Sequence, residues 1–269
     1  MTLAEVLNGT VEYLTARGID TPRVDAELLL AHALELQRIE LYTQHDRPVT
    51  EAERTRARDL VRRRGEREPL AYVLGDWDFR RLTLKTDKRA LVPRPETEVV
   101  VERCLVLLDG TSEPRIVDVG TGTGAIALAL KHERPDAHVT ATDRSADALA
   151  LAAENARANA LEIELVETDL LEGLPGPFDL VVSNPPYVAE NELEALEPEL
   201  AYEPQDALVD RGQTQRLIET ARFGWLVLEV HEARAQGIAA ELQRAGFADV
   251  HVSQDLAGRD RIVEGRWIQ

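Results

Sequence analysis

The sequence predicts an α/β protein in which a small helical domain and a β-hairpin precede a doubly wound, mostly parallel sheet. Three observations predict this architecture. Residues 1–75 carry apolar side chains at helical spacing and show no strand alternation. Residues 76–92 change to the short alternating pattern of a hairpin. From Arg115 onward, short apolar strands alternate with helical segments, which is typical of a sheet with helices on both faces.

The helical domain, residues 1–75, contains signals for the starts and ends of its helices. Gly18 ends the first helix, and Pro22 stands near the start of the second. Thr50 and Glu53 have the spacing of a capping box, which opens a third helix. A short fourth helix ends at Gly75. No residue type in this domain indicates chemistry.

Residues 76–92 form the predicted hairpin linker, and residues 93–269 form the predicted sheet domain. A helix from Glu96 to about Leu108 comes first, with carboxylates in its first turn, where the helix dipole favours them. The predicted strands that follow are residues 115–119, 138–142, 163–166, 180–182, 225–230, 248–253 and 260–267. Helical segments separate the first six of these strands, except between residues 166 and 180.

Composition excludes several classes of function. The 269 residues carry a net charge of −18, which argues against a broad grip on nucleic acid, where affinity comes largely from neutralised phosphates. The single cysteine, Cys104, excludes a disulfide framework and a cysteine-based zinc site, and we expect no metal. No apolar run approaches the roughly 20 residues of a membrane span, and the start lacks a signal peptide. We therefore expect a cytoplasmic protein.

A glycine loop follows the strand at residues 115–119. Its sequence is Gly120-Thr121-Gly122-Thr123-Gly124, and glycines between a strand and a helix let the backbone approach a ligand closely. The spacing is tighter than the G-x-G-x-x-G of dinucleotide-binding loops, and the Lys-Ser/Thr of a P-loop is missing. The loop therefore suits a carboxylate or a sugar edge better than a pyrophosphate.

Polar residues stand at four consecutive strand ends. Asp118 precedes the glycine loop, Asp143 ends the second strand, Asp169 follows the third and Asn184 follows the fourth. One such residue alone is usually a loop cap, but ligands of open α/β sheets bind beyond the carboxyl ends of the strands. We expect Asp143 to bind ribose hydroxyls and Asp169 to bind an adenine amino group. Three aspartates would repel a pyrophosphate and suit a cation, which favours S-adenosylmethionine over NAD.

The fourth strand ends in Asn184-Pro185-Pro186-Tyr187. Two prolines stiffen this segment and remove two backbone donors, so that its carbonyl groups are free to accept hydrogen bonds. Asn184 adds a side-chain acceptor and Tyr187 adds a flat ring. A planar amide or amino group suits such a site, although a rigid turn with a packed tyrosine is the simpler alternative for these four residues alone.

Taken in order, the glycine loop, the strand-end residues and Asn184-Pro185-Pro186-Tyr187 resemble the class I S-adenosylmethionine-dependent methyltransferases that methylate planar nitrogens. These enzymes have a Rossmann-like, mostly parallel seven-stranded sheet. With Glu68–Gly75 and Arg94-Pro95-Glu96-Thr97-Glu98, the chain looks like the protein-(glutamine-N5) methyltransferases of the HemK type. The resemblance covers nearly the whole chain, including Asp25–Leu30 in the helical domain.

The resemblance implies methyl transfer from S-adenosylmethionine to the amide nitrogen of the glutamine in the Gly-Gly-Gln motif of class I peptide chain release factors. S-adenosylhomocysteine would be the product, and translation termination would be modulated. The implied partner is the release factor, without direct nucleic acid or membrane binding, and we expect a monomer. The implied cofactor residues are Asp118, Gly120, Thr121, Gly122, Thr123, Gly124, Asp143, Asp169, Leu170 and Asn184; the implied catalytic and substrate residues are Asn184, Pro185, Pro186 and Tyr187, with Arg94 and Glu96 also binding substrate.

Three alternatives stay open at this point. Related enzymes that methylate a ribosomal-protein glutamine share the same catalytic residues. Nucleic-acid N6-adenine methyltransferases share Asn184-Pro185-Pro186-Tyr187 and flip a base into the pocket, but the net charge of −18 argues against them. A non-catalytic S-adenosylmethionine-binding protein would not need an intact segment of this kind. The helical domain would recognise the protein substrate, with Arg62–Arg67 as a candidate contact for an acidic face.

Overall fold

The computed structural model describes residues 1–190, 192 and 196–268. The chain divides into two compact units. The first contains Met1–Asp76 and Glu197–Tyr202, and the second contains Trp77–Leu196 and Glu203–Gln269. The short segment Glu197–Tyr202 therefore groups with the helical unit, although the residues on both sides of it belong to the sheet unit. The sequence does not predict this grouping.

The helical unit is built from five helices. They are α1 (Leu3–Ala16), α2 (Pro22–Leu34), α3 (Glu40–Thr43), α4 (Glu51–Gly65) and α5 (Leu70–Leu74). The predicted capping box is present, because the Thr50 side chain accepts from the Glu53 N–H and Glu53 accepts from the Thr50 N–H. Gly75 ends α5 in the left-handed conformation. Leucines along α1 and α2 form a buried core, including Leu3, Leu29 and Leu30.

The basic residues near the end of α4 are held in ion pairs inside this unit. Arg63 pairs with Glu68, and Arg62 pairs with Asp59 and Glu66. The buried Arg64 bonds to Asp25 at 2.7 Å and to Glu199 at 2.9 Å. Arg67 also pairs with Glu199. These pairs neutralise the arginines that the sequence suggests as contacts for an acidic partner. The pairs of Arg64 and Arg67 with Glu199 also fix the segment Glu197–Tyr202 to the helices.

The sheet unit confirms the predicted fold class. A two-stranded hairpin, β1 (Asp76–Phe79) and β2 (Leu82–Lys85), precedes α6 (Pro95–Leu107). The strands of the main sheet are β3 (Arg115–Val119), β4 (His138–Asp143), β5 (Glu164–Glu167), β6 (Leu180–Ser183), β7 (Trp225–Glu229), β8 (Phe247–Gln254) and β9 (Asp260–Trp267). Their spatial order is β5-β4-β3-β6-β7-β9-β8, with β9 antiparallel to β7 and β8 and the other pairs parallel.

Helices cover both faces of the sheet. Besides α6, the helices of this unit are α7 (Ala125–Glu133), α8 (Ala146–Ala158), α9 (Gln205–Leu208), α10 (Gln213–Thr220) and α11 (Ala235–Ala245). The central strand β6 is buried on both faces, as parallel strands are. Leu180 and Val182 belong to one hydrophobic core, whereas Val181 belongs to the core on the other face. This explains why the strand reads as a continuous apolar run.

One buried asparagine fixes the hairpin against the loop after β3. The Asn155 side chain of α8 accepts from the Lys85 N–H at 2.7 Å. Its amide nitrogen donates to the carbonyl oxygens of Lys85 and Thr123, at 3.1 and 2.8 Å. Asn155 is fully buried, so these bonds are shielded from water. The glycine loop is therefore tied both to α8 and to the hairpin.

The structure differs from the prediction at short elements. The helical segment that the sequence predicts between residues 230 and 248 begins with a 3-10 turn, Glu232–Arg234, which α11 follows. The sequence does not predict α3, α9 or the 3-10 helix Pro198–Tyr202, because four or five residues are too few to show a helical period. Within the described ranges, no helix is both long and apolar enough to cross a membrane.

Candidate active site

A cavity of about 580 Å³ opens at the carboxyl ends of β3, β4 and β6. The chain leaves β3 for β4 on one side, and β6 lies on the other side of β3. Ligands of open α/β sheets bind where the strand order reverses in this way. The glycine loop, Asp143, Asp169 and Asn184 all contribute to the cavity wall. The topology thus brings together strand ends that are far apart in sequence.

The glycine loop needs its glycines for backbone conformation. Gly120, Gly122 and Gly124 have φ values of 72°, 57° and 84°, which disfavour residues with a side chain. The N–H groups of Gly120 and Thr121 both donate to the Thr142 carbonyl, at 2.8 and 2.9 Å. These bonds fix the loop against the end of β4. Gly120, Thr121, Gly122 and Thr123 line the cavity, while Gly124 begins α7 outside its lining.

Asp118 lies beneath the glycine loop, and it is not part of the cavity lining. Its Oδ2 accepts from the Thr121 hydroxyl at 2.6 Å and from the Ala127 N–H at 3.2 Å. Its Oδ1 is buried without a hydrogen-bond partner among the described residues. Burial raises the pKa of Asp118 to about 7, against the opposing effect of these two hydrogen bonds. In this structure the carboxyl group holds the loop in place.

The acids of the next two strand ends do line the cavity. Asp143 accepts from the Gly122 N–H at 3.0 Å and from the Ser145 N–H at 2.9 Å, which fixes the orientation of its carboxylate. Asp169 is half-exposed and pairs with Arg216 at 2.7 Å. Leu170 follows in the left-handed region, with φ 56°, and its carbonyl accepts from the Thr142 hydroxyl. Leu170 supplies an apolar part of the wall.

The segment after β6 brings the amide-binding candidates to the same cavity. Asn184, Pro185 and Pro186 line it, and the Asn184 amide nitrogen lies 3.5 Å from the Thr97 hydroxyl. Tyr187 is half-buried outside the lining, and its ring packs against His231 with 6.2 Å between centroids. Burial raises the pKa of the Tyr187 phenol. The Asn184 amide group is therefore in contact with Thr97 of α6, and Tyr187 lies next to the cavity without lining it.

Arg94 and Glu96 occupy different positions. Arg94 lines the cavity and pairs with Glu203, whose side chain is fully buried. The same carboxylate accepts from the Val92 N–H at 3.0 Å, so it fixes the segment that enters α6. Glu96 pairs with Arg259 at 2.8 Å and is not among the cavity-lining residues. The structure thus brings Arg94, but not Glu96, to the cavity wall.

Sequence reasoning missed three residues around this site: Thr97, Glu203 and Glu229. Each is buried and polar. Glu229 ends β7, and burial raises its pKa to about 7. The rule that selected Asp143 and Asn184, a polar residue at the end of an apolar strand, would also have selected Glu229. No local pattern distinguishes Thr97 or Glu203 from surface residues.

The comparisons with known proteins agree over almost the whole chain. Residues 5–75 match the family model described as PrmC N-terminal domain, and residues 100–222 match Methyltransferase small domain. A protein named release factor glutamine methyltransferase from Deinococcus radiodurans is 42% identical over 275 residues, covering 99% of each chain. One with the same name from Geobacter sulfurreducens is 39% identical, covering 98% of this chain and 96% of the relative.

Among solved structures, the catalytic domain of hMettl16 in complex with MAT2A 3′UTR hairpin 6 superposes with a TM-score of 0.56. It is 19% identical and covers 78% of this chain and 81% of the other, which shows a shared fold only. The two relatives named above show the family as well as the fold, because they are well above 30% identical and match this chain over nearly the full length of both. The chain therefore belongs to the release factor glutamine methyltransferase family.

Proposed function

We propose that this protein transfers a methyl group from S-adenosylmethionine to the side-chain amide nitrogen (N5) of the glutamine in the Gly-Gly-Gln motif of class I peptide chain release factors. One observation carries the proposal: Asn184, Pro185 and Pro186 line the same cavity as the glycine loop. Groups that suit the cofactor and groups that suit an amide therefore meet in one site. Relatives named for this activity support the choice of substrate.

The cavity fits S-adenosylmethionine. Its volume of about 580 Å³ lies within the range of about 300 to 1,000 Å³ that is usual for small-molecule sites. Asp143 is fixed at a strand end, where an acid suits ribose hydroxyls. Asp169 and Leu170 also line the cavity, where Asp169 would bind the amino group of adenine and Leu170 would make apolar contact with the ring.

The amide-binding residues orient the substrate. S-adenosylmethionine bound in this cavity would supply a methyl group on a sulfonium: the N–methyl bond would form as the sulfur–methyl bond breaks, leaving S-adenosylhomocysteine, and the amide nitrogen would give up one proton to solvent. The Asn184 amide nitrogen faces Thr97, which leaves its Oδ1 to accept one N–H of the glutamine amide. The Pro185 carbonyl would accept the other N–H. Pro186 and Tyr187 would hold the amide plane.

The helical domain of residues 1–75 would bind the body of the release factor. Its match to the PrmC N-terminal domain model supports this role. Arg94 would contact the substrate at the cavity wall, where Glu203 fixes its side chain. Glu96 lies outside the cavity lining and would contribute to substrate binding through its pair with Arg259. A cytoplasmic, monomeric enzyme is consistent with this role.

A methyl-transfer assay with labelled S-adenosylmethionine tests the proposal. Four acceptors are compared: a class I release factor, the same factor with the Gly-Gly-Gln glutamine replaced, a ribosomal protein and DNA. We expect label only on the intact release factor. Label on the ribosomal protein or DNA, or equal label on both forms of the release factor, would overturn the assignment of the substrate.

A further inference from the structure

A buried carboxyl group lies beside the Asn184 amide. Glu229 is the last residue of β7 and is 2% exposed. Ser183 of β6 pairs with Leu228 of β7 in parallel register, so the next residues, Asn184 and Glu229, leave adjacent strands at the same level. The Oε2 atom of Glu229 is buried and has no hydrogen-bond partner among the described residues. A buried carboxyl group with an unpartnered oxygen, next to a candidate reactive site, calls for an explanation.

The residues that act on the Glu229 carboxyl group come from α6, from the segment after β6 and from β9. Side-chain hydrogen bonds with Thr97 of α6 and with Asn184 favour its ionised form. Glu96 of α6 repels that charge, and Arg261 of β9 attracts it. Tyr187 lies close enough for the Glu229 charge to help raise the pKa of its phenol. Burial is the largest influence and raises the pKa of Glu229 to about 7.

We infer that Glu229 is a positioning residue, whose carboxylate turns the Asn184 side chain so that the amide nitrogen faces inward and Oδ1 faces the substrate. An ionised carboxylate only accepts hydrogen bonds, so it must meet the NH₂ end of the asparagine amide. Thr97, which lies 3.5 Å from the same nitrogen, provides a second acceptor on that side. The inference rests on the proposed function, because Oδ1 is the atom that would accept the glutamine N–H.

Protonation of Glu229 removes this constraint. A neutral carboxyl group carries an O–H donor, which can bond to Asn184 Oδ1 and so stabilise the flipped amide. The flipped amide would present its NH₂ group to the NH₂ group of the substrate, and two donors cannot pair. Methyl transfer should therefore rise with pH, as Glu229 loses its proton, and level off above about pH 7.

The test uses Glu229→Gln in the full-length protein. Glutamine keeps the shape, is neutral at every pH and offers both a donor and an acceptor, so it no longer selects one orientation of Asn184. With S-adenosylmethionine saturating, we expect kcat on the release factor to fall about ten-fold or more and its rise with pH to disappear. Binding of S-adenosylmethionine should change by less than about two-fold, because Glu229 is not in the cavity wall.

Glu264→Gln is the matched control. Glu264 is as buried as Glu229 and lies in the neighbouring strand β9, where it pairs with Arg103. Its loss removes a buried carboxylate without touching Asn184, so the rise of kcat with pH should persist. If Glu229→Gln keeps the wild-type kcat and the same rise with pH, Glu229 does not position Asn184.

A second readout does not depend on the substrate. The side-chain NH₂ signals of Asn184, assigned by their loss in Asn184→Ala, are followed by NMR from about pH 5.5 to about pH 8.5. They should shift with a midpoint near 7 in the wild type and stay constant in Glu229→Gln. Constant signals in the wild type would overturn the inference. Failure of the wild type to methylate any acceptor would instead overturn the proposed function and leave the NMR result to decide on Glu229.

Discussion

Asn184 would orient the substrate glutamine, whose amide nitrogen has to accept the methyl group. The lone pair of an amide nitrogen is delocalised into its carbonyl group, so the nitrogen is a poor nucleophile and gains little from a base alone. Holding two groups at reacting distance with the right orientation removes a large part of the barrier. The Asn184 amide nitrogen lies 3.5 Å from the Thr97 hydroxyl, and the inferred contact with Glu229 would add to this orientation.

Asn184→Ala should separate binding from chemistry. The variant loses the acceptor for the glutamine amide, while the glycine loop, Asp143 and Asp169 stay in place. We expect methyl transfer to fall by about 100-fold or more and the affinity for S-adenosylmethionine to change little. Calorimetry and labelled methyl transfer measure the two quantities. Parallel loss of both would contradict the assigned role of Asn184.

Asp118 makes stability depend on pH. Its folded-state pKa, about 7, lies above the usual value of an aspartate, so the folded state holds more protons between about pH 4 and pH 7. The free energy of unfolding should therefore fall as pH rises through this range, by at most about 1.4 kcal/mol per pH unit from this group. Glu229 contributes with the same sign.

Asp118→Asn tests this dependence, because asparagine can still accept from Thr121 and Ala127 but carries no charge. The stability of the variant relative to the wild type should be higher at about pH 8 than at about pH 5, as measured by urea unfolding. Asp136→Asn is the control without this dependence, because Arg134 lowers the pKa of that exposed carboxylate, which is therefore ionised in the folded and the unfolded state at both pH values. An equal difference at both pH values would contradict the role of Asp118.

The site residues that could be predicted from the sequence are the polar residues at the ends of apolar strands. Asp143, Asp169 and Asn184 end or follow apolar strands, and all three line the cavity. Asp118 obeys the same rule, but it lies beneath the loop, because Thr121 and Ala127 draw its carboxyl group inward. Glu203 was not predictable, since it reaches Arg94 across 109 residues of sequence.

At the scale of elements, the cavity depends on the alignment of β6 with β7. Gly224 precedes β7, and its carbonyl accepts from the Trp267 N–H while Trp225 N–H donates to Asp179. A β-carbon at Gly224 would lie 2.1 Å from the Asp179 carbonyl oxygen, which is too close for any residue but glycine. The start of β7 is therefore fixed against the start of β6, and this sets Asn184 beside Glu229 at the other end.

Gly224→Ala should destabilise the protein by about 3 kcal/mol or more, because one backbone must move away from another. The matched control is Gly237→Ala in α11, where a β-carbon would meet no atom within 4 Å. That change should stabilise the protein by about 0.5 to 1 kcal/mol, since alanine favours a helix interior. Urea unfolding compares the two. Equal effects would mean that the start of β7 is not tightly constrained.

The strands and long helices were predictable from their periods, and the short elements were not. The sequence predicts every strand of the sheet within one or two residues, because buried strands read as apolar runs bounded by turns. The helix α9 and the 3-10 helix Pro198–Tyr202 are too short to carry a period. Their positions depend on contacts such as that of Glu199 with Arg64.

At the scale of the whole molecule, the segment Glu197–Tyr202 belongs to the helical unit by its contacts. Arg64 is 7% exposed and bonds to Asp25, to Glu199 and to the Glu68 carbonyl. Tyr202 donates to the Glu66 carbonyl at 2.8 Å. A chain segment that follows Asn184 in sequence is thus fixed to the helices. This arrangement predicts that loss of Arg64 affects both the helices and the segment.

Arg64→Ala should cost about 3 to 5 kcal/mol, because it leaves Asp25 and Glu199 without their buried partner. Amide hydrogen exchange at Leu200–Tyr202 should become faster. Arg62→Ala is the matched control on the same helix, where the pairs with Asp59 and Glu66 are about half-exposed and screened by water, so that their loss should change stability little. Unchanged exchange at Leu200–Tyr202 in Arg64→Ala would show that other contacts hold the segment.

The proposed enzyme methylates the glutamine of the Gly-Gly-Gln motif at its amide nitrogen. Tandem mass spectrometry of a release factor treated with the wild type and with Asn184→Ala tests it most directly. We expect one added methyl group, on the side chain of that glutamine, with the wild type and none with the variant. A methyl group on any other residue, or equal methylation by both proteins, would contradict it.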